Sequence, residues 1–389
     1  MSYVIAIDLG STVFKAALFD NSLQKIADAA RDVPYVSGSF EKLSWRETMR
    51  GCCEMITELS RAGNGEIAAI AVTSQAQTFA LRAHEHEPEY FISWRYEPSA
   101  EVLAEAGGVF GDDFADHCAF CEPVPGIAIC TLREMFLKKE IPAGASLEFL
   151  PGALVAFLTG RNCVDRNSAA MTGLFSRRSG EWHEQALSWC CGNGVHLPEL
   201  VAPGSLCGIT IPHGGMQLPA NIPVILCGND QSVGAYSADI ATDEVFISLG
   251  TAYSIYARIP QAITVPGGAS GEYLTTGAYA LKTAPLGGDT LQKTVMERAQ
   301  GDYRKFFAGE PDRDPAFNAL LAGIADTVKA VNCNARQAVI SGGGAKSPEM
   351  LEAIGRVLGI PVRRTEASPL AGAAAIAWNN LTKRRQKYE

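Results

Sequence analysis

Ile7-Asp8-Leu9-Gly10-Ser11-Thr12 stands near the start of this chain, and Ile247-Ser248-Leu249-Gly250-Thr251-Ala252 repeats its pattern with Ser248 in place of Asp8, 248 − 8 = 240 residues on. Each copy follows an apolar run (Tyr3 to Ile7; Val245 to Ile247) and precedes another (Val13 to Phe19; Ala252 to Ile259), so each spells strand, glycine turn, strand. A glycine among small hydroxyl residues removes the Cβ that would keep an anion from converging N–H groups and hydroxyls. One such hairpin is an ordinary β-turn. Two in matching context point to paired grips on a polyphosphate.

The copies are chemically unequal. Asp8 ends its strand beside small polar donors, where a carboxylate serves Mg²⁺, directly or through waters, better than it serves phosphate. Ser248 has no charge, so the first hairpin is expected on the metal side and the second on the phosphates alone.

The 389 residues suit two domains, and the repeat sets their seam: 1–240 and 241–389. An apolar content of 47% with 19% charged residues describes a folded chain with a sizeable core. The net charge of −9 would repel a phosphate backbone, which argues against nucleic acid as a partner; the basic cluster Lys383 to Lys387 is expected to be a solvated tail. The opening residues lack a basic leader pattern, and Leu370 to Trp378 is too short an apolar run for a bilayer, so a cytoplasmic protein without membrane contact is expected.

Eleven cysteines are scattered along the chain. Cys118 and Cys121 have half a zinc site's spacing, but no second pair follows, so reduced thiols are the expectation. His84-Glu85-His86 is expected in a solvated loop.

Strand and helix patterns alternate, which argues for α/β architecture. Trp45 to Ala62 is amphipathic, Ile129 to Lys139 and Gly152 to Leu158 are helix candidates, and Ile67 to Val72 forms a strand running into the polar segment Thr73 to Thr78. Polar residues just past a strand's carboxyl end are where open α/β sheets bind ligands. Pro223 to Cys227 leads into Gly228-Asn229-Asp230-Gln231, and Ala338 to Ile340 into Ser341-Gly342-Gly343-Gly344-Ala345-Lys346-Ser347, each followed by a helix. The two segments look like equivalent strand-to-helix turns. Asp230 is placed to take the proton of an attacking hydroxyl, though by residue type alone it would equally cap the next helix. The three glycines would let a flat base and ribose lie on bare backbone. Phe306 to Pro315, charged and punctuated by proline, is expected to be flexible.

These pieces, in this order, resemble the FGGY family of carbohydrate kinases, within the actin, Hsp70 and sugar kinase superfamily. Asp8 to Thr12 with Lys15 resembles the family's first phosphate motif, Cys227 to Gln231 its catalytic-aspartate segment, and Ser248 to Thr251 its second phosphate motif. Ser341 to Ser347 is similar to the adenosine motif, and Leu370 to Ala374 to the closing small-residue helix. Asp165 to Trp182 and Leu197 to Leu200 fit the middle region. The resemblance implies two RNase H-like (actin-like ATPase) domains with a cleft between them, closing over ATP and a sugar, with Mg²⁺ as cofactor. Asp230 would be the catalytic base, and Asp8 with Asp230 the metal side. The nucleotide would contact Gly10, Ser11, Thr12, Lys15, Gly250, Thr251, Gly342, Gly343, Gly344 and Ser347. The sugar would contact Gln75, Gln77, Trp94, Asp230 and Gln231.

Three departures fall on the sugar side. Where many members carry Trp-x-Asp-x-Arg, Trp94 is followed by Arg95, Tyr96, Glu97 and Pro98; Gln77 replaces a usual His; and a longer stretch is compressed into Phe306 to Phe317. The resemblance implies an ATP-dependent sugar kinase acting on a ketose, a pentulose or heptulose. Two other readings stay open: a non-catalytic sugar or nucleotide sensor, and a partner-activating ATPase with iron–sulfur cysteines. A homodimer is compatible with all of them.

Overall fold

Ser2–Leu9 is an almost continuous apolar run because both faces of this strand are covered. It pairs antiparallel with Val13–Phe19 through the Gly10 turn, and parallel with Glu66–Ser74 on its other side. Lys25–Asp32 and the pair Pro223–Asn229 and Ser205–Ile209 complete a six-stranded sheet in the order Ser205–Ile209, Pro223–Asn229, Glu66–Ser74, Ser2–Leu9, Val13–Phe19, Lys25–Asp32. The computed structural model describes residues 1–388 other than 37, 84–85, 193, 213–217 and 310. His84 and Glu85 lie outside the described residues, as do the side chains of the basic tail from Arg384.

Helix Trp45–Ala62 covers one face of this sheet. Ser44 caps it by accepting from the Glu47 N–H at 3.4 Å, and Trp45, Met49, Cys52, Ile56 and Leu59 recur on one side and are buried against Ile5, Ile7 and Phe14. Each such side chain, fully buried, contributes about 1.5–3 kcal/mol. A second, four-stranded sheet runs Lys42–Ser44, Tyr90–Ile92, Phe79–Arg82, Ser146–Phe149. The helices expected near 129–139 and 152–158 run Ala128–Leu137 and Leu150–Thr159.

The second six-stranded sheet has the order Ala269–Glu272, Ala278–Thr283, Tyr253–Ile259, Glu244–Leu249, Gln337–Ser341, Val362–Arg364. Its central strand Glu244–Leu249 has an antiparallel hairpin partner on one side and a parallel strand on the other, as Ser2–Leu9 has in the first sheet. The repeat seen in the sequence is thus a repeat of topology. Pro223 to Gln231 and Ala338 to Ser347 are not equivalent within it: Gln337–Ser341 adjoins its central strand, as Glu66–Ser74 does, whereas Pro223–Asn229 lies one strand further out. Only their local pattern is shared.

Two compact units result, Met1–Gly234 with Pro369–Glu389, and Ala235–Ser368. This differs from the expected 1–240 and 241–389 chiefly in the last helix, Pro369–Tyr388, which returns to the first unit. Its small residues explain why. A Cβ on Gly372 would meet the Val233 carbonyl at 2.0 Å, Cys227 Sγ donates to the Ala373 carbonyl, and Asn380 Nδ2 donates to the Gly204 carbonyl at 2.7 Å.

Phe306 to Pro315, expected to be flexible, is mostly structured. Tyr303–Ala308 is helical, Phe306 and Phe307 pack edge-on against Phe317, and Asp314 caps helix Pro315–Val331 by accepting from the N–H groups of Ala316 and Phe317. Aromatic burial outweighs the turn-forming residues. Among the described residues, no helix is long and apolar enough to cross a membrane, and no group of three His, Cys, Asp or Glu is placed to hold a metal ion. Cys118 is buried and Cys121 half-buried, and neither is in a disulfide.

Candidate active site

Three parallel strands of the first sheet end together. Asp8 pairs with Thr73, and Thr73 with Gly228; Leu9 pairs with Ser74, and Ser74 with Asn229. Gly10, Gln75 and Asp230 are the next residues out, so the carboxyl edge gathers segments far apart in sequence. At this edge the register slips between Leu226 and Gly228, and Gly228 has φ +131°, a conformation that favours glycine. Such a bulge re-aims the chain beside a site. Thr73 Oγ1 donates to the Gly228 carbonyl at 2.8 Å and ties the bulge to the neighbouring strand.

Asp230 begins helix Asp230–Ser237, and its Oδ1 accepts from the Gln231 N–H at 2.8 Å. It is therefore a residue of the first turn rather than the cap that its type alone suggested, and its electrostatics go further. Burial and then the neighbouring negative charge of Asp8 push its carboxyl up to about 8. Asp8 itself is pushed up to about 6 by burial, against the opposing pull of Lys15, its cross-strand partner. Asp8 Oδ1 is shielded from water and has no hydrogen-bond partner. Two carboxylates held together with too little positive charge around them form a donor set suited to a hard divalent cation, which takes one or two carboxylates and keeps its waters. The residues thus fit Mg²⁺.

Asn167, which the sequence reading passed over, fixes this corner. Its Oδ1 accepts from the Asn229 N–H at 3.2 Å, one residue before Asp230. Asp165, two residues earlier, is fully buried, caps helix Arg166–Ala169 through the Ser168 N–H, and has its carboxyl raised by burial. Asn is a common turn residue, so nothing in its type marked this role.

The expected sugar contacts divide. Gln75 is buried with neither amide atom partnered, while its N–H donates to the Leu9 carbonyl at 3.2 Å. An amide in that state is poised for a polar ligand. Gln77 is committed elsewhere: at φ +73°, its Nε2 donates to the Met171 carbonyl and its Oε1 accepts from the Ala128 N–H at 2.9 Å. It clamps the loop rather than offering its amide. Trp94 is 40% exposed, with its N–H donating to Thr78 Oγ1. Gln231 follows Asp230, and its N–H also reaches Asn229 Oδ1 at 3.1 Å. In the first hairpin, Gly10 is tight against the Val13 carbonyl, Thr12 and Lys15 are exposed, and the Ser11 carbonyl accepts from the Tyr35 hydroxyl at 2.8 Å.

In the second unit, the corresponding edge borders a cavity of about 740 Å³, within the range of small-molecule sites. Gly250, Thr251, Gly343, Gly344 and Ser347 line it; Gly342 is not among the lining residues. Gly342, at φ +95°, supports the wall: its Cβ would lie 2.6 Å from the Leu249 carbonyl oxygen, while a Cβ on Gly343 would meet nothing within 4 Å. Ser347 also caps helix Pro348–Leu358, its Oγ accepting from the Met350 N–H at 3.2 Å. The sequence reading missed Gly287 and Gly288, whose Cβ atoms would strike the carbonyls of Thr251 and Gly250 at 2.4 and 2.2 Å. Their adjacency at the start of helix Gly288–Ala299 was the available signal. Tyr253, also missed, lines the cavity with a buried, unpartnered hydroxyl, raised by burial.

Residues 149–237 match the model of the FGGY family of carbohydrate kinases, N-terminal domain. The chain is 23% identical over 284 residues to an autoinducer-2 kinase of Klebsiella pneumoniae, covering 68% of this chain and 53% of that one. It is 25% identical over 303 residues to a glycerol kinase of Bradyrhizobium, covering 72% and 58%. The chain thus spans about half the length of the curated relatives it matches. In three dimensions it resembles a xylulose kinase from Lactobacillus acidophilus with a TM-score of 0.84 at 17% identity, covering 98% of this chain and 90% of that one. That likeness shows the fold, the two-domain actin-like architecture.

Proposed function

This chain is a relative of the FGGY carbohydrate kinases, and on that premise we propose that it transfers the γ-phosphoryl group of ATP to a hydroxyl of a polyhydroxylated small molecule. One observation carries the reading: Asp230, raised by burial and by Asp8, at the carboxyl edge of the first sheet. A base of this kind, close in affinity for protons to the operating pH, takes the acceptor's proton as its oxygen attacks. The new bond joins that oxygen to the γ-phosphorus, the bond to the β–γ bridging oxygen breaks, the proton passes to the Asp230 carboxylate, and ADP leaves.

Positioning and charge neutralisation supply most of the catalysis in phosphoryl transfer. When bound, Mg²⁺ would supply neutralisation of the phosphate oxygens. Asp8 would hold it, directly or through waters, with Asp230 alongside. Gln75 would meet acceptor hydroxyls with an amide that has no other partner. Gly250 and Thr251 would meet phosphates, and Gly343 and Gly344 the nucleoside in the 740 Å³ cavity. The ketose expected from the sequence is one acceptor of this class, and a xylulose kinase is among the structures it resembles.

Replacing Asp230 with Ala tests this reading. Acceptor-dependent ADP release falls by about 10²–10⁴-fold, the usual contribution of a general base, while ATP binding measured by calorimetry persists. Undiminished turnover in that variant overturns the assignment.

A further inference from the structure

Arg95 is a cation surrounded by rings rather than by carboxylates. Its guanidinium carbon lies 5.4 Å from the ring centroids of Trp94 and Phe40 and 5.9 Å from that of Tyr35. Its Nε is shielded from water and has no hydrogen-bond partner, and no acidic side chain pairs with it among the described residues. Other half-buried arginines of the same unit are treated differently. Arg82 forks onto Glu148 at 2.6 and 3.2 Å, and Arg133 onto Glu105 at 2.6 and 3.3 Å. A guanidinium presents donors in a fixed fork that matches an oxyanion, and a charged donor sheltered from water without a partner is costly. Arg95 therefore has the geometry of a cation held ready for an anion this chain does not provide.

Two tethers place it at the carboxyl edge. The Trp94 N–H donates to Thr78 Oγ1 at 3.3 Å, in the polar segment that begins at Thr73 and includes Gln75. On the other side, the Tyr35 ring beside Arg95 donates through its hydroxyl to the Ser11 carbonyl in the first glycine hairpin. Ser11 lies three residues after Asp8 and Thr78 three after Gln75, so both tethers run to segments that leave this edge. Two of the rings around it, Phe40 and Trp94, are exposed, and Arg95 itself is half-buried.

We propose that Arg95 receives a carboxylate of the phosphoryl acceptor, which makes the substrate a sugar acid, an aldonate or ketoaldonate, rather than a neutral sugar or polyol. This rests on the phosphoryl-transfer reading above. A phosphate oxyanion shares the same chemistry, so the test separates the two sources.

ADP release is measured with gluconate, xylonate and 2-ketogluconate against sorbitol, xylulose and sedoheptulose. Wild type favours an acid over the neutral acceptors by about 100-fold in kcat/KM, the scale of a charged hydrogen-bonded pair. Arg95→Met reduces that preference by about 10–100-fold through the KM for the acid, Arg95→Lys restores part of it, and the KM for ATP does not move. Equal or better use of a neutral acceptor by wild type overturns the proposal. So does an Arg95→Met effect that falls on the KM for ATP, which would assign the cation to a phosphate. If nothing is phosphorylated while ATP still binds, the phosphoryl-transfer reading fails by itself. Calorimetry with gluconate and sorbitol then decides the acid site: gluconate binding that is lost in Arg95→Met supports it, and absent or charge-blind binding removes it.

Discussion

The carboxyl edges of the two six-stranded sheets share a strand order and treat polar groups in opposite ways. In the first unit the edge carries side chains that the fold leaves unsatisfied, the shielded oxygen of Asp8 and both amide atoms of Gln75, beside the raised carboxyl of Asp230. In the second, the matching hairpin has Ser248 in place of Asp8, and among the described residues the edge carries no unsatisfied carboxyl: it is built from glycines, Gly287, Gly288 and Gly342 against backbone carbonyls and Gly343 open, with the neutral hydroxyl of Tyr253 beside them. Unsatisfied charge suits a site where a reaction's charge must be met, and bare backbone suits a surface that only has to fit. On the proposed reading, one topology supports two tasks, divided by what projects from the ends of its strands.

The largest expected effect comes from making the first edge resemble the second. Asp8→Ser copies Ser248 and should lower turnover by about 10³-fold or more, the scale lost with a key electrostatic group. It should also stabilise the protein near neutral pH. Folding raises the Asp8 carboxyl from 3.8 to about 6, so the folded state holds its proton at pH values where the unfolded chain has released it. Stability from this group therefore falls as pH rises through that window and levels above it. The Asp8→Ser advantage, read by thermal melting, should be absent at the acid end of the window and full above pH 6. An inactive variant with no such gain would break the comparison, because Asp8 would then be satisfied in the fold.

A middle-sized effect separates two adjacent glycines on the second edge. Gly342→Ala places a Cβ 2.6 Å from the Leu249 carbonyl oxygen at a φ of +95° and should destabilise the unit by at least about 1–3 kcal/mol. Gly343→Val enters open space, so melting should be unchanged while the KM for ATP rises about tenfold with kcat preserved. Equal melting losses in both variants would mean that these glycines serve packing alone.

Much of this was legible in the chain itself, because hairpin and strand patterns are local. Apolar runs around Gly10 and Gly250 gave both central strands, and the likeness of Leu370 to Ala374 to the family's closing small-residue helix pointed to the last helix. The pattern could not say which unit that helix joins, since the contacts of Gly372 with Val233 and of Asn380 with Gly204 are long-range. Gln75 and Gln77 look alike in sequence, and only the partners found by each amide separate an offered group from a committed one. Arg95 was visible merely as a departure from a motif; its missing carboxylate partner is a fact of three dimensions.

The edges also differ in how their turns are held, and Asn167 gives the smallest and most selective test of that difference. The glycine edge is fixed by backbone packing, whereas the Asp230 corner depends on a side chain: Asn167 Oδ1 accepts from the Asn229 N–H at 3.2 Å. Asn167→Ala leaves that buried N–H without its acceptor, at a cost of about 1–3 kcal/mol, and frees the residue preceding Asp230, the proposed base. Since a base works only when aimed at its proton, kcat should fall by about tenfold, with the KM for ATP unchanged because the glycine edge is untouched. Asn167→Asp keeps the accepting oxygen and should recover part of kcat while adding negative charge beside buried Asp165. If both variants lose stability equally and neither changes kcat, the bond only packs the corner, and the first edge would be as backbone-determined as the second.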